Sequence, residues 1–477
     1  MKTRHLLHGW PRATLAKLAA VALAATALTG CTSLAPDYQR PASPVPATVF
    51  DAPAGPAAET QALAWRDLVS SAPLRELVAL ALENNRDLRV AALSIDRAQA
   101  LYGVEQSNRF PSVAASGAGT RARTAQDLTT AGRAQFTNQF SAGVGFASYE
   151  IDFFGRVRNL NDVALQEFFR VTANQRSVQL SLVAEVMNAW LTLQADQQRL
   201  QLARDTLRSR EAAFALTRRI YQLGGTSGLV LAQNQTTVDS ARADVATTTS
   251  QVARDQNALR VLVGVDVPAR LLPAAGAAAT PALALMELPA GLSSAVLLRR
   301  PDVLAAEHSL RGTTANIGAA RAAFFPSITL TANVGTASNE LDRLFNAGNG
   351  TWSFVPQIRL PIFDAGRNQA NLKVAEANQS VALAQYEKAV QTAFREVADA
   401  LAERATLAER IDAQTSLVAA TQKAFTLSEA RFKAGVDNYL SVLDAQRALY
   451  TAQQGLIAVQ QAAQANRITL YKVLGGG

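Results

Sequence analysis

Between residues 183 and 221, apolar side chains fall on one ladder spaced three and four residues apart. Its rungs are Val183, Val186, Trp190, Leu193, Leu200, Leu207, Phe214 and Tyr221, interrupted by the polar Gln197, Arg204, Glu211 and Arg218. That spacing is a heptad seam with wet positions, and it predicts a long helix whose stripe packs on another helix. No proline occurs over 156–223, so no backbone donor is lost. At 1.5 Å per residue such a helix is roughly 100 Å long. Gly224-Gly225-Thr226-Ser227 then breaks the run. Glycine takes the left-handed conformation of a helix end, and Ser227 can cap the helix that follows. A second proline-free stretch leads to Gly264, so 156–263 reads as one helical hairpin.

Elsewhere the period is two. Phe140, Ala142, Val144 and Phe146 alternate with Ser141, Gly143, Gly145 and Ala147. Residues 327–334 alternate in the same way, and Trp352, Phe354, Ile358 and Leu360 alternate with Ser353, Gln357 and Arg359. With the small, β-like stretch that starts at Ser112, this predicts four strands, at about 112–123, 138–149, 327–337 and 351–361. Each has the length that crosses a bilayer at a tilt, and two-sided alternation suits lipid on one face and water on the other.

Both patterns occur twice. Gly155-Arg156 returns as Gly366-Arg367, Glu185-Val186 as Glu396-Val397, Gly224 as Gly435, and Gly264 as Gly475, all at an offset of 211. Gly435-Val436-Asp437-Asn438 is the second turn, so 366–474 reads as a second hairpin. Upstream, Asp87 and Phe110-Pro111 return as Asp302 and Phe325-Pro326 at an offset of 215. The second strand–loop–strand is therefore four residues shorter, and loops at 124–137 and 338–350 are the expected place for the change. The resulting division is a first repeat over 61–264, a Pro- and Ala-rich linker over 265–291, and a second repeat over 292–477. Each repeat is helix, two strands, hairpin.

The start of the chain reads differently. Lys2, Arg4, Arg12 and Lys17 precede an apolar run over 18–28, followed by Leu28-Thr29-Gly30-Cys31. This resembles a bacterial lipoprotein signal over 1–30, with Cys31 as the lipidated first residue of the mature chain. Thr32 follows it, so transfer to the outer membrane is expected. A proline-rich tether over 31–60 comes next. Removing the signal halves the formal charge of +8, leaving no basic block and no case for nucleic-acid binding. Cys31 is the only cysteine, and His308 is the only histidine beyond the signal. A Cys/His metal cluster and a Cys–His nucleophile pair are excluded by inventory, and His308 reads as an exposed helical residue. No cofactor is expected. Past the signal only Met187 and Met286 could offer thioethers, too few for a soft-metal path.

A chain with four bilayer-length strands cannot close a barrel alone, and open edges in hydrocarbon cost several kcal/mol per unpaired group. Two subunits would give eight strands around a filled interior, and three would give twelve, which can leave a bore.

Leu297-Leu298-Arg299-Arg300-Pro301-Asp302-Val303, Ala306-Glu307, Ile317-Gly318-Ala319-Ala320-Arg321-Ala322 and Phe325-Pro326 resemble the signature of the outer-membrane factors. Residues 361–367 (PIFDAGR) and 439–447 (YLSVLDAQR) continue it, and 35–41 (APDYQRP) looks like the family's segment after lipidation. The set is most similar to the OprM/NodT branch of the TolC-like family. The resemblance implies an α+β membrane protein: a homotrimer sharing a twelve-stranded β-barrel, four strands per chain, continued by a long α-helical barrel. It also implies a passive exit duct for small molecules, not an enzyme, anchored in outer-membrane lipid and docked to a periplasmic adaptor and an inner-membrane RND pump. Leu440, Asp444 and Arg447 match positions that close the periplasmic mouth. Gly224, Thr226, Ser227, Gly435, Val436 and Asn438 lie at the hairpin tips, where adaptor hairpins would pack. Two alternatives stay open: a type I protein-secretion duct, and a lipid-anchored coiled-coil scaffold without a pore.

Overall fold

The computed structural model describes residues 33–48, 64–274, 282–284 and 293–476. The signal segment, Cys31 and parts of the tether and linker lie outside the described residues. In chain order come helices α1 (Trp65–Leu68), α2 (Ala72–Asn84) and α3 (Arg86–Ser107), then strands β1 (Val113–Thr124) and β2 (Gln135–Ile151). Helices α4 (Arg156–Gln222), α5 (Gly228–Val263) and α6 (Pro301–Ala322) follow, then strands β3 (Ser327–Ser338) and β4 (Gly350–Arg359), and finally helices α7 (Arg367–Lys433) and α8 (Tyr439–Val473). Helices α4 and α7 are each 67 residues long.

Two compact units divide the chain, and each draws on both repeats. The first combines the chain up to Pro41 with Ile95–Val171 and Ala306–Tyr386; the second combines Ala42–Ser94, Thr172–Ala305 and Glu387–Gly477.

The first unit holds one antiparallel sheet in the order β1-β2-β3-β4. Its register aligns the alternation of all four strands. Val113 and Ala115 pair with Phe146 and Val144, which pair with Ala332 and Val334, which pair with Phe354 and Trp352. In these rows an apolar band crosses one face from edge to edge, and Arg121, Arg123 and Asn138 follow on the same face toward the β1–β2 loop. The other carries Ser116, Gly143, Gly145, Asn333, Ser353 and their neighbours, which are small or polar. Sheets ordinarily bury their apolar face under another layer. Here β1 and β4 are exposed along almost their whole length, and Trp352 is 80% exposed. The outer edges of β1 and β4 pair with no other strand among the described residues. The four-residue shortening is not in the loops, which span 125–134 and 339–349. The second strand shortens by more than that, from 17 residues in β2 to 10 in β4, and the longer connections on either side of β4 return the difference. The register of β2 breaks between Phe146 and Tyr149, with Ser148 at φ 56°, so a bulge there takes up one extra residue.

The core of the second unit is built from α2, the middle of α4, and the ends of α5 and α8. Leu74, Leu77, Met187, Leu193, Leu259 and Ile468 are all but sealed from solvent. Trp190 buries an indole there, and its N–H donates to Leu271 O at 2.9 Å, so burial strands no donor. Asn85 explains why the helical stretch after Trp65 breaks. Its backbone N–H closes α2 on Ala81 O, its Oδ1 accepts Leu88 N–H at 2.8 Å to open α3, and its Nδ2 donates to Leu262 O at 2.8 Å.

The heptad ladder is buried only in part. Val183, Val186, Trp190, Leu193 and Leu200 are buried, but Tyr221 is 45% exposed. Toward the end of α4 the buried stripe moves to Ala203, Arg210 and Thr217. Arg210 Nη1 donates to Thr237 O of α5 at 3.0 Å, and the guanidinium stands 5.9 Å from the Tyr450 ring of α8. Contacts to two neighbours, not hydrophobicity, choose the face there.

Candidate functional site

The two hairpin tips are built alike. Gly224 and Gly435 sit at φ 78° and 74°, each just past the end of a long helix. Gly225 N–H donates to Ile220 O and Gly224 N–H to Tyr221 O, both at 2.9 Å; Val436 to Arg431 O and Gly435 to Phe432 O repeat the arrangement at 3.0 and 2.9 Å. Two orphan carbonyls are satisfied at each helix end, and only the left-handed glycine allows it. Ser227 and Asn438 then cap α5 and α8, accepting from Val230 N–H at 3.4 Å and Ser441 N–H at 3.2 Å. The second tip alone is clipped by charge. Arg431 bonds Asp437 through two nitrogens, at 2.6 and 2.9 Å, and these bonds hold the Asp437 carboxyl below the usual aspartate range. Ile220 and Thr226 occupy the matching places in the first tip. Beneath the tips, Tyr439, Val442 and Leu443 pack with Val230, Phe425 and Phe432. Val436 is exposed and Thr226 partly so, open to a partner surface.

Leu440, Asp444 and Arg447 share one face of α8, beyond the tip. Arg447 Nη1 lies 3.5 Å from Asp444 Oδ1, and the side chains are 71% and 62% exposed. Within one chain this is a weak surface pair. Leu440 is also exposed.

Sequence reasoning missed buried polar groups, among them Glu307, Arg300 and Arg210. Glu307, with a side chain 3% exposed, collects Arg40 Nη2 at 2.8 Å, Tyr38 Oη at 3.1 Å and Arg311 Nη2 at 2.6 Å. Burial alone would raise its pKa; the two guanidinium groups outweigh burial and hold it below the usual glutamate range. The tether is thus strapped to α6. Ser33 Oγ donates to Asn159 Oδ1 at 2.7 Å, and Arg321 Nη1 donates to Leu34 O at 3.2 Å. Gly318 leaves room for the strap, because a Cβ there would stand 2.6 Å from Ala35 N. Arg300 is the second group. It donates to Val473 O at 3.0 Å, to Asp302 at 2.8 Å and to Glu396 at 2.7 Å. The third is the Arg210 contact described above. The only early signal was position within the 297–303 and 306–307 motifs, which marked Arg300 and Glu307 but not their partners.

His308 is not exposed. Its Nδ1 lies 2.8 Å from Gln166 Oε1 and its ring packs 5.3 Å from Phe169, both on α4. Burial pulls its pKa below the ordinary value. Among the described residues, no group of three or more His, Cys, Asp or Glu is arranged to hold a metal ion, and no helix is long and apolar enough to cross a membrane.

An open sheet with one apolar and one polar face, joined to paired helical hairpins, defines an outer-membrane channel component. The chain belongs to the outer membrane efflux protein family, whose model matches residues 77–265 and 292–476. It is 44% identical to the probable efflux pump outer membrane protein TtgC of Pseudomonas putida, over 96% of this chain and 95% of that one. It is 41% identical to the cation efflux system protein CusC of Escherichia coli, over 95% and 98%. The solved open state of the Neisseria gonorrhoeae MtrE outer membrane channel superposes with a TM-score of 0.83 at 38% identity, covering 94% of this chain and 98% of that one. The fold is therefore that of the TolC-like outer-membrane channels, and the chain acts in efflux at the outer membrane.

Proposed function

We propose that three copies of this chain close a twelve-stranded barrel and form a passive exit duct for small molecules. The observation that carries this is the bare four-stranded sheet, with both outer edges unpaired among the described residues and an apolar band across one face. In hydrocarbon each unpaired backbone group costs several kcal/mol, so the β1 edge of one copy must meet the β4 edge of the next. Twelve strands leave a bore that the small polar face would line. In this reading the repeats over 61–264 and 292–477 supply equal shares of barrel and hairpin, and lipid on Cys31 anchors each copy. A periplasmic adaptor packs on the tips at Gly224, Thr226, Ser227, Gly435, Val436 and Asn438, and an inner-membrane RND pump supplies the energy. The chain itself performs no catalysis.

Three-fold symmetry would bring three Asp444 carboxylates toward one axis. Arg447 would bridge them, with Leu440 narrowing the mouth. Organic solutes suit the duct better than soft metal ions, since Met187 is sealed in the core and cannot line a path. Outer-membrane fractions should yield heat-modifiable trimers that conduct in planar bilayers. Single subunits without conductance would leave the scaffold reading. Loss of a secreted protein, instead of drug sensitivity, on deletion would favour the secretion duct.

A further inference from the structure

Asp196 of α4 and Asp255 of α5 are 7% and 9% exposed and lie within hydrogen-bond reach of each other. Their surroundings differ. Arg199 ion-pairs with Asp196 through Nη1, and its Nη2 donates to Gln461 Oε1 of α8 at 3.2 Å. Gln461 Nε2 donates in turn to Thr192 Oγ1 of α4 at 3.1 Å. Asp255 receives Gln251 Nε2 on Oδ1 at 2.8 Å, and its Oδ2 is buried without a donor. The other charge facing the pair is Arg254, beside Asp255 on α5, which donates to Ser250 and Gln251. The α8 group that Arg199 reaches is the neutral amide of Gln461. One paired guanidinium cannot neutralise two buried carboxylates, and like charges so placed do not both ionise.

The second hairpin shows what this place requires. At the offset of 211, Asn466 stands where Asp255 does, and Leu407 where Asp196 does. Asn466 Nδ2 donates to Ala400 O at 2.8 Å and lies 3.4 Å from Glu403 Oε2. The position is a donor position. An ionised aspartate has no proton to give there; a protonated one has one.

We propose that Asp255 and Asp196 form a proton-binding site, in which a single proton on Asp255 Oδ2 is donated to the ionised carboxylate of Asp196. Burial first, then the hydrogen bond and charge of Asp196, push the Asp255 carboxyl above the usual aspartate range. The Asp196 carboxylate holds Arg199 in place toward Gln461. Loss of the proton sets two carboxylates against each other beside one guanidinium, and draws Arg199 from α8. Asp255 and Asp196 are thus positioning residues for α8, the helix that also carries Asp444 and Arg447. The proton site does not depend on the gate reading.

The test is infrared difference spectroscopy on the full-length purified protein at about pH 6, roughly two units above the ordinary aspartate pKa. A protonated-carboxyl C=O band should be present in the wild type, lost in Asp255→Asn and in Asp196→Asn, and kept in Asp239→Asn, an exposed aspartate on α5. A raised folded pKa gives stability that is complete below the unfolded value and lost as pH rises through the folded one. Melting temperature should therefore fall with rising pH in the wild type more than in Asp255→Asn, whose amide keeps the donor. A band that survives both substitutions, or melting curves that track each other across the pH range, would overturn the assignment. So would failure of Asp255→Asn to assemble, since an amide already serves this position in the other repeat.

Discussion

Arg40, in the stretch that follows the lipidation site, grips Glu307 of α6 through Nη2 at 2.8 Å and Nε at 3.2 Å, across 267 residues of chain. The tether is therefore docked, with Glu307 as the buried carboxylate that accepts from both Arg40 and Tyr38. Glu307→Gln leaves Arg40 and Arg311 without their counter-charge. Removing one member of a buried pair costs about 3–5 kcal/mol, and because both arginines keep much of their water the expected loss is roughly 2 kcal/mol. Limited proteolysis at 33–41 should quicken in the same variant. The folded pKa of Glu307 is depressed, so the clamp is complete above the ordinary glutamate value and weakens as pH falls through the folded one. Cleavage of the wild-type tether should thus quicken only on strong acidification, and Glu307→Gln should remove that dependence.

Asp444→Ala with Arg447→Ala should raise closed-state single-channel conductance in planar bilayers. Stability should hardly move, because an exposed pair is worth about 0.2–1 kcal/mol within one chain. Unchanged conductance would count against a gate at these residues.

Nothing lies within 4 Å of a Cβ built at Gly224 or Gly435. Bulky residues there meet no clash inside the chain. Their internal cost is the left-handed backbone, about 1–2 kcal/mol. Such variants should keep their trimers and lose efflux, scored as drug sensitivity of the host. Full resistance would remove the tips from the docking surface.

His308 is partly buried, and its pKa is lowered by that burial, with Arg311 adding repulsion. Its neutral form belongs to the folded state, so stability should fall as pH drops through the ordinary histidine range toward the folded value. His308→Gln should flatten that part of the melting-temperature profile. An identical profile would show that protonation is accommodated in place.

Much of the fold was legible because its signals are local. Proline-free runs, turn glycines and period-two stretches each report on a few neighbours, and a constant offset between copies needs no structure at all. The loop-shortening expectation failed because the second strand of each repeat, 17 residues in β2 against 10 in β4, changes length while the more tolerant loop does not shorten. The exposed reading of His308 failed because Gln166 and Phe169 come from another helix. The tips and the Asp444–Arg447 pair could be named early, since both are set within one or two helical turns.

By itself the sequence determined the periods, the breaks, the duplication and the four bilayer-length strands. These follow from backbone sterics and side-chain spacing along one chain. Only the tertiary structure decided that the strands share one apolar face, that Glu307 holds the tether, and that Asp255 meets Asp196. Each of those depends on which distant segments are brought within about 3 Å, and no period along a chain encodes that distance.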